Sequence, residues 1–247
     1  MVAVMAAPRS LVRRTFLQGI AAGLTVSLLP RGARAESGQR ILMMGGSQIA
    51  GGLGLYLGKR LEELGYTVHR KAKSASGLAR PDFYDWQAEA ARQYEAVRPQ
   101  ITLCMFGGND GQGLHMGKGA DPQWIRWGED GWDDEYRRRV EAFASAVTPD
   151  GERMVWMGMP MVRPTKLRSR VEHMNSIFEA TMGTRDGWDF VETWSALATD
   201  GGEYTDHKQI DGKRVLLRGG DGVHLTVKGA HFLADWIAPK VHAIVGG

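Results

Sequence analysis

Short apolar runs of β type alternate with helical segments from residue 40 onward, and this alternation limits the possible folds more than any other feature. Strands are predicted near Arg40–Met44, Thr67–Arg70, Ile101–Phe106, Met154–Met157 and Asp189–Glu192. Helices are predicted at Leu53–Leu64, Asp85–Val97, Asp134–Val147, Lys166–Met182 and Val227–Val245. Strands separated by helices require a parallel sheet covered on both faces, with the strand-to-helix loops at one edge.

The first 35 residues are interpreted as an export signal and not as part of the fold. The twin-arginine pair Arg13-Arg14 precedes an apolar stretch, Gly19–Leu29, which is short for a bilayer crossing. The small residues Ala33 and Ala35 follow and predict a cleavage site. We therefore expect a periplasmic domain, residues 36–247, with no membrane span after cleavage. The alternative is an uncleaved N-terminal anchor.

Charge, cysteine content and histidine spacing argue against nucleic-acid binding, an internal disulfide and a metal site. The chain has 31 basic and 28 acidic side chains, but residues 1–35 contain five arginines and no acid, so residues 36–247 carry a net charge of −2. Binding to nucleic acid is not expected without a large basic face. The single cysteine, Cys104, cannot form an internal disulfide and is predicted to pack as a small hydrophobic residue. The histidines lack metal-ligand spacing, so no metal is expected.

The stretch GGSQIAGGLG, Gly45–Gly54, follows the first predicted strand and contains one hydroxyl, that of Ser47. It lacks the Gly-Lys-Ser/Thr end of a phosphate-binding P-loop, and Leu57 stands where a dinucleotide loop has its third glycine. Ile49 stands where the G-x-S-x-G elbow of α/β hydrolases has its second glycine. Ser47 is therefore either a nucleophile of another kind or a helix cap.

Three further motifs carry groups that ester chemistry needs. Asp221 precedes His224 by three residues, as an acid that orients a base would, and Thr226 is predicted to cap the last helix. Asn109 follows the third strand and offers an amide that can donate to an oxyanion. Gly77 follows the second strand, where its N–H can approach a ligand closely. Each motif alone is also typical of an ordinary turn or cap.

Taken together and in this order, Gly45-Gly46-Ser47, Gly77, Gly107–Asp110 and Asp221–His224 resemble the four sequence blocks of the SGNH/GDSL hydrolase superfamily, in particular a periplasmic subgroup with poorly defined substrates. The resemblance extends from Arg40 to the C-terminus. It implies a three-layer α/β/α sandwich around a five-stranded, mainly parallel sheet of flavodoxin-like type.

The resemblance also implies roles. Ser47 would be the nucleophile, His224 the base and Asp221 its orienting acid, while Ser47, Gly77 and Asn109 would form the oxyanion hole. No metal or organic cofactor is implied. The superfamily usually has Asp where this chain has Gly46, so a brace of the nucleophile loop is missing. The consequences of Gly46 left open are weakened activity and a nucleophile loop held by other contacts. A third alternative is a degenerate, non-catalytic protein that binds the cell envelope.

Two segments are longer than ordinary connections. Gly107–Trp132 contains Trp124, Trp127 and Trp132 among acidic residues, a composition that suits the flat faces of sugars. Ala198–Gly220 is predicted to contain a hairpin around Asp211-Gly212. The leading hypothesis is hydrolysis of O-acyl esters, in particular O-acetyl esters, on a cell-envelope carbohydrate. The alternatives are a lipolytic esterase or acyltransferase with the same triad, and tryptophans that only anchor the loop.

Overall fold

The computed structural model describes residues 38–246. The predicted export signal and its cleavage site lie outside these residues. The elements, in chain order, are β1 (Arg40–Gly45), α1 (Ser47–Ala50), α2 (Gly52–Glu63), β2 (Thr67–Ala72), α3 (Trp86–Val97), β3 (Ile101–Met105), β4 (Leu114–His115), β5 (Trp124–Ile125), α4 (Trp132–Ala146), β6 (Arg153–Met157), α5 (Thr165–Met182), β7 (Trp188–Val191), a 3-10 turn (Ser195–Leu197), β8 (His207–Ile210), β9 (Lys213–Leu216) and α6 (Val227–Val245).

Five parallel strands form the central sheet in the order β2-β1-β3-β6-β7. The predicted α/β class is confirmed, and all five predicted strands are present. The last one begins at Trp188, one residue earlier than predicted. The three strands β1, β3 and β6 are almost wholly buried, which explains why they read as continuous apolar runs without alternation.

The helices form two groups, one for each face of the sheet. Helix α2 packs against α6, whereas α4 packs against both α3 and α5. The strand order accounts for this division: the chain moves outward from β1 to β2 and then returns past β1 to β3, so right-handed connections place α2 and α3 on opposite faces. The result is the expected three-layer sandwich.

The strand order switches sides at β1, because β2 lies on one side of it and β3 on the other. Such a switch creates the crevice in which α/β proteins bind their ligands. Gly45, the last residue of β1, is paired with Ala72 of β2 on one side and Met105 of β3 on the other. The segments that follow these three strands therefore begin side by side. They contain Ser47, Gly77 and Asn109.

The two long connections contain short antiparallel pairs. In the first, β4 pairs with β5, which the sequence patterns did not predict. In the second, β8 and β9 form the predicted hairpin, and Asp211 and Gly212 both have positive φ angles, as its two-residue turn requires. Cys104 is buried in β3, as predicted, and burial raises the pKa of its thiol. Within residues 38–246 no helix combines the length and apolar character that crossing a bilayer would need.

Two glycines of α2 make a matched test of this packing. A Cβ atom on Gly54 would lie 2.1 Å from the carbonyl oxygen of Ile49, whereas one on Gly58 would meet only Val68 Cγ1 at 3.8 Å. We expect Gly54→Ala to lower the free energy of unfolding by about 1–3 kcal/mol, because backbone must move. Gly58→Ala should raise it by about 0.5–1 kcal/mol through helix propensity. Urea unfolding followed by circular dichroism measures both, and equal effects would contradict the packing described.

Candidate active site

Ser47 is placed by the end of β1 and the start of α1. A side chain at Gly45 is excluded, because its Cβ would lie 2.4 Å from the carbonyl oxygen of Met105 on β3. The chain leaves the strand through Gly46 and starts α1 at Ser47. N–H groups in the first turn of a helix have no acceptor within that helix, so the Ser47 N–H is available to a ligand.

The structure brings Ser47, His224 and Asp221 together across 177 residues of sequence. Ser47 Oγ lies 3.2 Å from His224 Nε2, and His224 Nδ1 lies 2.6 Å from Asp221 Oδ2. The His224 ring and the backbone N–H groups of Val223 and His224 all bond to the Asp221 carboxylate and lower its pKa to about 2. An ionised Asp221 favours a proton on Nδ1 of the imidazole, which leaves Nε2 free to accept the proton of Ser47.

The loop that carries the acid and the base is held by its own backbone. Gly219 N–H donates to His224 O at 2.7 Å, and Gly222 N–H donates to Gly219 O at 2.9 Å. Thr226 caps α6 as predicted, because its hydroxyl accepts from Gly229 N–H at 3.0 Å. The side chains of His224 and Asp221 are about half exposed, at 55% and 50%. Hydrogen bonds, and not close packing, therefore set their positions.

Asn109 lies at the same cavity as Ser47. Its Nδ2 donates to the carbonyl oxygen of Ser76 at 3.3 Å, which leaves the second N–H of the amide free. The cavity has a volume of about 60 Å³, and its walls include Ser47, Ser76, Asn109, Met159 and His224.

Gly77 packs against a buried carboxylate. A Cβ atom there would lie 2.1 Å from Asp110 Oδ1, so only glycine fits. Asp110 is fully buried and accepts from the N–H groups of Ala79 at 2.8 Å and Gly107 at 3.1 Å, while burial raises its pKa. The segments after β2 and β3 are joined in this way. Ser76, the residue before Gly77, lines the cavity, whereas Gly77 does not. The oxyanion role of Gly77 therefore stays a prediction.

The three tryptophans of the long loop differ in exposure. Trp132 is 1% exposed and its indole donates to Gln112 O at 2.8 Å, so it anchors the loop, and its predicted contact with substrate is wrong. Trp127 is half-buried between the Trp132 ring and the Arg170 guanidinium, and it lines an open, acidic cleft of about 550 Å³. Trp124 is 39% exposed beneath Arg80. None of the three lines the Ser47 cavity.

Two buried polar residues near the site carry no sequence signal that motif analysis could detect. Gln48 follows Ser47 and donates to the carbonyl of Val223. Arg218 precedes the Asp221 loop and donates to the same carbonyl. Within residues 38–246 no three His, Cys, Asp or Glu side chains lie close enough to hold a metal ion.

Solved structures with the same architecture include a GDSL-like lipase and an acetylxylan esterase, so the predicted resemblance is confirmed at the level of the fold. LAE5, an alpha/beta hydrolase enzyme from the metagenome of Lake Arreo, Spain, aligns with a TM-score of 0.59 and 16% identity over 87% of this chain and 98% of its own. A GDSL-like lipase from Bacteroides thetaiotaomicron aligns with a TM-score of 0.57 and 14% identity over 84% and 89%. A catalytic mutant of Axe2, an acetylxylan esterase from Geobacillus stearothermophilus, aligns with a TM-score of 0.56 and 17% identity over 84% and 96%.

The chain belongs to the family described as "Protein of unknown function (DUF459)", which matches residues 40–240. No curated protein matches the sequence significantly.

Proposed function

We propose that this protein is a serine esterase that hydrolyses short O-acyl esters, in particular O-acetyl esters, on a carbohydrate of the cell envelope. The observation that carries the proposal is the chain of contacts from Ser47 Oγ to His224 Nε2 and from His224 Nδ1 to Asp221, beside a cavity that Asn109 also lines. A serine becomes a useful nucleophile when a base oriented by an acid takes its proton.

The reaction would run in two halves. Ser47 Oγ attacks the ester carbonyl while His224 Nε2 takes the hydroxyl proton, and the free N–H of Asn109 with the Ser47 N–H donates to the developing oxyanion. The intermediate collapses, the bond to the alcohol breaks, and His224 returns the proton to the leaving oxygen. Water then attacks the acyl-serine with the same base, which releases the carboxylic acid and free Ser47.

The size of the cavity favours a short acyl group. By the measure that gives about 60 Å³ here, one water-sized group needs roughly 10–15 Å³. The space therefore accommodates about four to six water-sized groups, which is enough for the four non-hydrogen atoms of an acetyl ester group. Met105 and Met159 line the cavity and are only 1% and 2% exposed, so no open apolar trough is present at these two residues.

A carbohydrate carrier is supported by separate observations. Trp124 and Trp127 keep exposed surface on the loop that begins just after Asn109, and the cleft beside Trp127 is open and lined with carboxylates that can accept hydroxyl hydrogen bonds. One structural neighbour is an acetylxylan esterase. The predicted twin-arginine signal would deliver the enzyme to the periplasm, among envelope glycans.

Ser47→Ala should abolish turnover of 4-nitrophenyl acetate by residues 36–247, because no other hydroxyl lies against His224 Nε2 among the residues described. Asp221→Asn should lower kcat on the order of 10⁴-fold, since the imidazole loses the carboxylate that fixes its tautomer. Because the pKa of Asp221 is about 2, it stays ionised through the ordinary assay range, and an acidic limb there belongs to another group. A Ser47→Ala rate equal to the wild type would reject catalysis at Ser47.

Met159→Ala should enlarge the acyl cavity. The Met159 side chain lies against Gly107 and Gly108, where a Cβ atom would meet it at 3.2 and 3.4 Å. We expect the ratio of kcat/KM for 4-nitrophenyl butanoate over acetate to rise roughly 10-fold. Met174→Ala is the control, because Met174 is equally buried and does not line the cavity. A wild-type preference for chains of eight carbons or more would defeat the acetyl proposal.

Trp127→Ala should raise KM for an O-acetylated polysaccharide such as acetylxylan by roughly 10-fold, the loss expected for an aromatic contact of about 1.4 kcal/mol. Turnover of 4-nitrophenyl acetate should not change, because Trp127 does not line the Ser47 cavity. Trp236→Ala, on α6, is the matched control. Acetate release measures the first reaction, and equal losses on both substrates would show that Trp127 only supports the loop.

A further inference from the structure

Gln48 and Val223 each adjoin one half of the Ser47–His224 pair. Gln48 is 6% exposed and its Nε2 donates to the carbonyl oxygen of Val223 at 3.1 Å. The two residues are 175 positions apart in sequence, but each is the immediate chain neighbour of a reacting group. The hydrogen bond therefore spans the same gap as the Ser47–His224 contact, one residue away on both sides.

A buried guanidinium from the same connection, that of Arg218, also binds the Val223 carbonyl. Arg218 is 1% exposed; its Nη1 donates to Val223 O and its Nη2 to Met161 O. Burial lowers the pKa of Arg218 to about 10, although the charges of Tyr204 and Asp221 act in the opposite direction. A carbonyl oxygen has two lone pairs, and Gln48 and Arg218 use both of those of Val223.

Gly46, which precedes Ser47, has no side chain that could hold the nucleophile turn. A Cβ atom there would lie 3.0 Å from Ser76 O, so the aspartate usual in the superfamily would require its neighbours to shift. Since His224 and Asp221 are half exposed, packing alone does not fix the distance from base to nucleophile.

We propose that Gln48 is a positioning residue that sets the Ser47–His224 distance through the Val223 carbonyl, which Arg218 also binds. The inference rests on the proposed esterase function. Gln48 and Val223 also line the Ser47 cavity, but the Gln48 amide is bonded to the Val223 carbonyl and so is not directed at a ligand. The inference therefore assigns Gln48 a role in the rate of the chemical step and none in substrate affinity, because a misplaced base slows proton transfer.

Gln48→Met tests the inference, because methionine has a similar length and no donor. We expect kcat for 4-nitrophenyl acetate to fall roughly 10- to 100-fold while KM changes less than about twofold. Labelling of Ser47 by a fluorophosphonate should slow in parallel. Gln209→Met, on the exposed β8–β9 hairpin, is the matched control and should leave both rates unchanged.

Gln48→Glu supplies a readout that a merely structural role would not move. The ionised carboxylate presents an acceptor to the Val223 oxygen, whereas the protonated form again donates. The ratio of kcat for Gln48→Glu over wild type should therefore rise as the pH falls, and the ratio for Gln209→Glu should stay flat. If Gln48→Met does not fold, by circular dichroism, this pH profile carries the test.

The outcomes separate the two proposals. A wild-type protein that hydrolyses no ester rejects the proposed function and the inference with it. A wild type that hydrolyses 4-nitrophenyl acetate, with unchanged kcat in folded Gln48→Met or a flat Gln48→Glu ratio, overturns the inference alone. A rise in KM at constant kcat also overturns it, because Gln48 would then contact the substrate.

Discussion

The position of β1 between β2 and β3 is the constraint on which the site depends. Because Gly45 pairs with Ala72 and Met105 in one register, the three segments that leave these strands start at the same height on the sheet edge. The close approach of Gly45 to the Met105 carbonyl leaves no room for a side chain, and the turn that presents Ser47 follows directly. Strands are added to the sheet on one side of β1 and then on the other, and this switch in strand order opens a crevice at the end of β1.

Periodicity in the sequence was sufficient to predict this frame. Buried parallel strands are continuous apolar runs and surface helices carry an apolar stripe, so the five strands of the central sheet and the five long helices could each be predicted from local sequence. Element ends were less certain: α4 begins at Trp132, two residues before its prediction, because Trp132 packs against the body of the domain. The convergence of Ser47, Asp221 and His224 was predicted from the resemblance of the ordered motifs to the SGNH/GDSL superfamily, and no single motif was sufficient to predict it.

Contacts that depend on tertiary structure could not be read from the sequence. Gln48 and Arg218 are polar residues that usually lie on the surface, and only the folded chain shows both donating to one buried carbonyl. Asp110 belonged to a predicted motif without a role, and its burial against Gly77 shows that it ties two loops together. The substrate contact predicted for Trp132 was wrong for a similar reason: composition indicates an aromatic ring, but not whether it faces solvent.

The half-exposed imidazole and carboxylate have a consequence for the size of molecule the crevice admits. With one edge of His224 and Asp221 open to water, a group attached to a long polymer need not be threaded through a tunnel to reach Ser47. In the proposed reaction the cavity of about 60 Å³ would hold the acyl group, and the exposed edges of His224 and Asp221 would leave room for the alcohol. The proposed esterase would then reach an ester in the middle of a polymer as readily as one at its end.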